Sequence, residues 1–249
     1  MSSQQYLMQA RTLIDRIATT QQEAIRTAAE LMADSVANGG LVNLFGSGHS
    51  VLPVMDIFPR YGSYPAFRPL LDSRLSWFTV LGSGGVSELL WLERTEGYIA
   101  NFLKNYPLLP ADTMVVYSHG GLNAAPVEVA LYAKEHGLKV VAVTSVANLA
   151  LNAPRHSSGK RLADIADVVI DNCVDPIDAM VPVEGWPAPV AAGSTLAVVA
   201  ISMALTAELA KRLAQRGITL PVFVSPNVAD VPPDNNEQVF AEYRRVTQR

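Results

Sequence analysis

The chain contains one cysteine, Cys173, in 249 residues. No disulfide can close within it, and the expected setting is a reducing, cytoplasmic one. Charged residues are scarce at 17%, the net charge is −4, and no Lys/Arg cluster breaks the acidic balance. A nucleic-acid partner is therefore not expected. A small anion remains open, because backbone amides and hydroxyls bind one without net positive charge. Long hydrophobic runs are missing too. The most apolar stretch, 196–205, carries Ser202 and is soon followed by Glu208, Lys211 and Arg212. That is too short to span a bilayer, so no membrane association is expected. Residues 1–11 are polar and lack the apolar centre of a secretory signal.

Several cofactor signatures are also absent. Gly46-Ser-Gly48-His-Ser-Val51 lacks the third glycine of a dinucleotide fingerprint, and no acidic residue ends a second strand at the required spacing. There is no Walker lysine. The histidines form no His-x-x-x-His pair and have no evident fourth ligand, so neither metal nor other cofactor is expected. No internal repeat or linker divides the chain, which is read as a single domain, 1–249, with an N-terminal helical segment at 1–38 and a core and tail at 39–249.

What is present is apolar pattern. Hydrophobic residues reach 49%, enough for a well-buried core and a buried oligomer face. Leu7, Ile14, Ile17, Ile25, Ala28, Leu31 and Met32 recur at three- and four-residue steps and predict a helix over 4–37, stopped by Gly39-Gly40. Buried strands are expected at 41–45, 67–71, 114–117, 139–144 and 168–171, with helices at 51–60, 87–105, 162–166, 194–216 and 237–246. Another helix follows residue 123, with Pro126 near its start and Gly137 at its end; 220–224 reads as extended, and 145–160 and 172–192 as loops. Strands alternating with helices predict an α/β fold with a parallel sheet covered on both faces.

In such a sheet, ligands bind beyond the carboxyl ends of the strands. That rule gathers Gly46, Ser47, Gly48, His49 and Ser50 after the first strand, and Ser118, His119, Gly120, Gly121 and Asn123 after the third. Ser145 follows the fourth, with His156 farther along its loop, and Ser194 and Thr195 open a helix. Two Ser/Gly loops, each between a buried strand and a helix, suit an anion such as phosphate. Isomerising a sugar needs a base to move a proton between adjacent carbons and a donor to steady the enediolate oxygen. Asp56 and Glu184 are candidate bases; His49, His119 and His156 are candidate acids or donors. Trp91, Arg94 and Glu96 read as surface or interface residues.

The runs L-V-N-L-F-G-S-G-H-S (41–50), M-V-V-Y-S-H-G-G-L-N-A-A-P (114–126), K-V-V-A-V-T-S (139–145), G-S-T-L-A (193–197) and P-V-F-V-S-P-N (221–227) resemble a sugar isomerase (SIS) domain over nearly the whole chain. A bacterial branch with a loop like R-H-S-S-G-K-R (155–161) is most similar, phosphoheptose isomerases less so. The resemblance implies a three-layer αβα sandwich, flavodoxin-like, around a five-stranded parallel sheet. It also implies a phosphorylated sugar as ligand, and a homodimer or homotetramer with sites near subunit interfaces. By position, Ser47 and Ser50 match the first phosphate loop and Ser118, Gly121 and Asn123 the second. Gly120 stands where a hydroxyl is usual, and Asp56 near the place of a longer catalytic Glu. The expected function is aldose–ketose isomerisation of a sugar phosphate through an enediolate. The alternatives are a non-catalytic phosphosugar sensor and a sugar-phosphate lyase or etherase.

Overall fold

The apolar rhythm of the N-terminal segment folds into two helices in the computed structural model, which describes residues 2–228 and 231–248. They are α1 (Ser2–Thr20) and α2 (Gln22–Ala37), where the sequence predicts one. The break falls at Gln21, whose side-chain oxygen leaves the helix surface to accept the Asp171 amide at 2.9 Å. Ala28, Ala29, Met32 and Ala33 line the buried stripe of α2.

Five parallel strands follow the expected runs: β1 (Val42–Gly46), β2 (Phe67–Pro69), β3 (Thr113–Tyr117), β4 (Lys139–Thr144) and β5 (Val168–Asp171). Their order is β2-β1-β3-β4-β5. β1 and β3 are buried at every position, as strands covered on both faces must be. Val42, Leu44, Val115, Tyr117, Val141 and Val143 point to one core, shared with α1, α2, α3 (Val51–Ile57) and α9 (Ser194–Gln215). Phe45, Met114, Val116, Val140 and Ala142 alternate to the other face. That face is covered by α4 (Val86–Leu92), α5 (Tyr98–Leu103), α6 (Ala124–Glu135) and α8 (Leu162–Ile165). The result is the αβα sandwich anticipated from the sequence.

Departures are local. The helix expected over 87–105 is two helices, because Gly97 adopts a left-handed φ of 86°. The 145–160 loop contains α7 (Val146–Leu151). Within 172–192, β6 (Ala179–Val181) and β7 (Val190–Ala192) pair antiparallel. Residues 220–224 form no strand. They are pinned by backbone bonds from Phe223 N–H to Ser63 O (2.7 Å) and from Gly62 N–H to Phe223 O (2.8 Å). The last helix, α10 (Asn235–Thr247), packs Val239 into the core. Among the described residues no helix is long and apolar enough to cross a membrane.

The amino end of the sheet is closed by a buried charge network. Asp112 accepts the Leu41 amide (2.8 Å), the Leu109 amide (3.0 Å) and an Arg68 guanidinium N–H (3.4 Å). Arg68 also donates to Asn43 Oδ1 (2.7 Å) and Pro107 O (3.0 Å). At the carboxyl end, the chain leaves β1 toward β2 and leaves β3 toward β4. The connections diverge there, opening the crevice in which this topology holds ligands.

Candidate functional site

The two Ser/Gly loops flank that crevice. β1 runs straight into residues 47–50, which close a short 3-10 turn before α3. The turn is tight enough that a Cβ on Gly46 would lie 2.1 Å from Ser50 O, so only glycine fits. The second loop needs glycine for another reason: Gly121 has φ +61°, and a Cβ there would lie 2.9 Å from Thr144 Oγ1.

A carboxylate joins the loops. Glu93, directly after α4, accepts Ser47 Oγ–H on Oε2 (3.1 Å) and Asn123 Nδ2–H on Oε1 (2.8 Å). Its main-chain carbonyl accepts the Ala125 amide in the first turn of α6 (3.0 Å). The residue is 8% exposed. Burial pushes its carboxyl above the usual carboxylate range; the Ser47 bond and the neighbouring Arg94 guanidinium pull the other way. Sequence reasoning passes over Glu93. It reads as one acid among several within the helix expected over 87–105, and nothing in its local pattern marks it.

On the Asn123 side lies a polar cleft of about 190 Å³. Ser118, Gly120 and Asn123 of the second loop line it together with Asn148, Asn152, Arg94 and Arg155. Ser118 Oγ accepts the Gly121 amide (3.1 Å), which holds the loop in shape. The cleft thus brings together a hydroxyl, carboxamides and two arginines, of which Arg94 also donates to Leu90 O and pairs with Glu93, a set suited to an anion with several oxygens.

Toward α9 is a much smaller space, about 10 Å³, bounded by His49, Ser50, His119, Ser194 and Thr195. That is about the room one water needs. The His49 ring lies against Trp77, with centroids 4.4 Å apart. Asn172 Oδ1 accepts the Val174 amide (3.0 Å), so its Nδ2 is the group facing His119 Nδ1 at 3.2 Å. This assigns the His119 proton to Nε2, which is buried without a hydrogen-bond partner. Ser194 is less available than its helix-start position implies. Asp178 accepts its amide (2.7 Å), its hydroxyl (2.8 Å) and the Gly193 amide (3.1 Å). The positive end of α9 therefore already faces a carboxylate.

The structure does not bring the remaining candidates to these loops. Asp56 is half exposed and paired with Arg60 at 3.0 Å along α3. Glu184 is exposed between β6 and β7. Ser145 is fully buried as the cap of α7, its hydroxyl accepting the Asn148 amide (3.0 Å) and donating to Val174 O (2.6 Å). His156 packs beside Glu96 and Glu128, while its neighbour Arg155 reaches the cleft. Among the described residues no group of three or more His, Cys, Asp or Glu side chains is placed to hold a metal ion.

Residues 5–145 match the SIS domain family. A UPF0309 protein from Streptomyces coelicolor is 36% identical over 244 residues, covering 96% of this chain and 94% of the relative. A UPF0309 protein from Halalkalibacterium halodurans is 34% identical, with 96% and 94% covered. Among solved structures, phosphoheptose isomerases from Neisseria gonorrhoeae (TM-score 0.55, 17% identity) and Francisella tularensis (TM-score 0.53, 16% identity) share the fold. Each covers 83% of this chain and 95% of its own.

Proposed function

The chain belongs to the SIS domain family, and on that premise we propose that it binds a phosphorylated sugar and interconverts its aldose and ketose forms. The phosphate lies in the polar cleft against 118–123. The sugar carbons extend toward Glu93, which takes the proton from the carbon beside the carbonyl. The electron pair left behind moves onto the carbonyl oxygen, giving an enediolate. His119 Nε2–H donates to that oxygen; a proton passes to it from the neighbouring hydroxyl, and return of the carbon-bound proton to the former carbonyl carbon leaves the carbonyl one carbon along. A carboxylate whose proton affinity is raised by burial is the stronger base for this step. Asp56, the base by family resemblance, is set aside here because its carboxylate pairs with Arg60 rather than with either loop.

One observation carries this reading. A single buried carboxylate is tied to both loops, through Ser47 and Asn123. Proton exchange is the direct test. In D2O, a panel of aldose and ketose phosphates should include at least one whose carbon-bound hydrogen beside the carbonyl is replaced by deuterium. Binding across the panel with no exchange would leave a non-catalytic phosphosugar module, and an unsaturated product would mark a lyase.

The working form is proposed to be a homodimer or homotetramer in the cytoplasm. Phe78, Val80, Leu81 and Trp91 are exposed on the segment that carries Trp77 over His49, an apolar surface a second copy would cover. Sedimentation should report a stable oligomer that Leu81→Asp weakens; a monomer at micromolar concentration would remove the assembly.

A further inference from the structure

Gly120 lines the polar cleft without a side chain, so this position of the second loop offers an anion no side-chain donor. The space is there: a Cβ on Gly120 would meet only Asn148 Oδ1, at 3.9 Å. Arg155 lines the same cleft and has no carboxylate partner among the described residues.

The segment bearing Arg155 is strapped down at both ends. Ser157 donates its amide to Glu96 Oε1 (2.7 Å) and its hydroxyl to Glu96 Oε2. Those two bonds hold the Glu96 carboxyl below the usual range, which keeps it ionised as an acceptor. At the far end, Arg161 donates to Leu149 O (2.9 Å) and Leu162 N–H to Gly121 O (2.9 Å), inside the second loop itself.

Between them sits His156, its side chain only 8% exposed. Its Nδ1 accepts the Ser158 amide at 3.1 Å, which assigns the ring proton to Nε2. Nε2 lies 3.7 Å from Glu96 Oε2 and 3.6 Å from Glu128 Oε1, with no hydrogen-bond partner of its own. Glu96 belongs to the turn between α4 and α5, and Glu128 to α6. The ring is thus a buried peg between the turn bearing Glu96 and helix α6, one residue from Arg155.

We propose that Arg155 supplies the phosphate contact that Gly120 lacks, and that His156, seated between Glu96 and Glu128, is the positioning residue that holds it there. The proposal rests on the reading of the cleft as the phosphate site. A guanidinium substitutes well for a hydroxyl here, since its forked donors match two phosphate oxygens at once. It also explains why the segment needs so many anchors: a long, exposed side chain is a useful ligand only if its backbone is held.

Calorimetric titration with inorganic phosphate tests both parts. Arg155→Met should weaken binding roughly 10- to 100-fold. Gly120→Ser, added to Arg155→Met, should restore most of the loss, because a hydroxyl then stands in the open space beside Asn148 in the same cleft. His156→Phe should weaken binding in the parent chain and have no further effect once Arg155 is Met. Glu96→Gln should show the same dependence on Arg155, and it answers the question if His156→Phe does not fold.

Ser118→Ala separates the proposal from its premise. Binding lost with Ser118→Ala but kept with Arg155→Met overturns the role of Arg155 and leaves the phosphate site standing. Binding unchanged in both overturns the site. Failure of Gly120→Ser to rescue overturns the substitution of guanidinium for hydroxyl. Equal weakening by His156→Phe with and without Arg155 reduces His156 to a structural residue.

Discussion

Glu93→Gln is expected to slow deuterium exchange into a sugar phosphate by roughly 10²- to 10⁴-fold, the usual worth of a general base, while leaving phosphate affinity near that of the parent. The substitution keeps shape and bonding. A glutamine oxygen can accept the Asn123 amide that now meets Oε1 at 2.8 Å. Its amide nitrogen can donate to Ser47 Oγ, since a hydroxyl accepts as readily as it donates. Only the ability to take a proton is lost. Exchange within threefold of the parent would exclude Glu93 as the base.

The same variant should not lose stability, and the direction follows from linkage. Burial raises the Glu93 carboxyl above its unfolded value. Between the unfolded and folded values the native state binds more protons than the unfolded one, so stability falls as pH rises across that window and stays lowered above it. Below the unfolded value, about 4.3, there is no penalty. Glutamine does not titrate, so Glu93→Gln removes this fall. Its melting temperature at pH 7 should equal or exceed the parent's, and the difference should vanish toward pH 3. A variant that melts lower at pH 7 than at pH 3, relative to the parent, would show that the carboxylate stabilises the fold.

The second large effect lies at the other end of the sheet. Asp112→Ala should destabilise the protein by about 3–5 kcal/mol, the usual cost of breaking a buried ion pair. The side chains of Arg68 and Asp112 are 7% and 0% exposed. Removing the carboxylate takes away an acceptor for two backbone amides, Leu41 and Leu109, as well as for the guanidinium. The Leu41 amide sits at the entry to β1, so the loss reaches the strand that carries the first ligand loop. Replacing both partners, Arg68→Met with Asp112→Leu, should cost less than Asp112→Ala alone, because no buried charge is then left behind. Urea unfolding with an unchanged slope measures both. A single variant within 1 kcal/mol of the parent would show that the pair adds little.

Strand identity was readable because a strand covered on both faces must be apolar throughout. V-V-A-V within β4 satisfies that from local composition alone, and L-V-N-L-F around β1 does so except at Asn43, which is buried against Arg68. The loops were readable for a related reason: glycine and serine directly after such a strand mark a tight turn wherever they occur. Helix continuity was less so. The periodic pattern of 4–37 cannot show that Gln21 turns aside for the Asp171 amide, a contact across 150 residues. Nor does an apolar run show where a lone glycine such as Gly97 will take a left-handed conformation.

By itself, then, the sequence determined the parallel sheet, its two covered faces and the two loops at its carboxyl edge, because those depend on short-range pattern. Which carboxylate serves those loops was decided only by the tertiary structure. The strand order puts β1 beside β3, which brings Ser47 and Asn123 to one point, and Glu93 reaches them across 46 and 30 residues of chain. Burial, and with it the raised proton affinity of Glu93, is a property of that convergence. Asp56 has the more suggestive place in the sequence, but its helix turns the side chain toward Arg60.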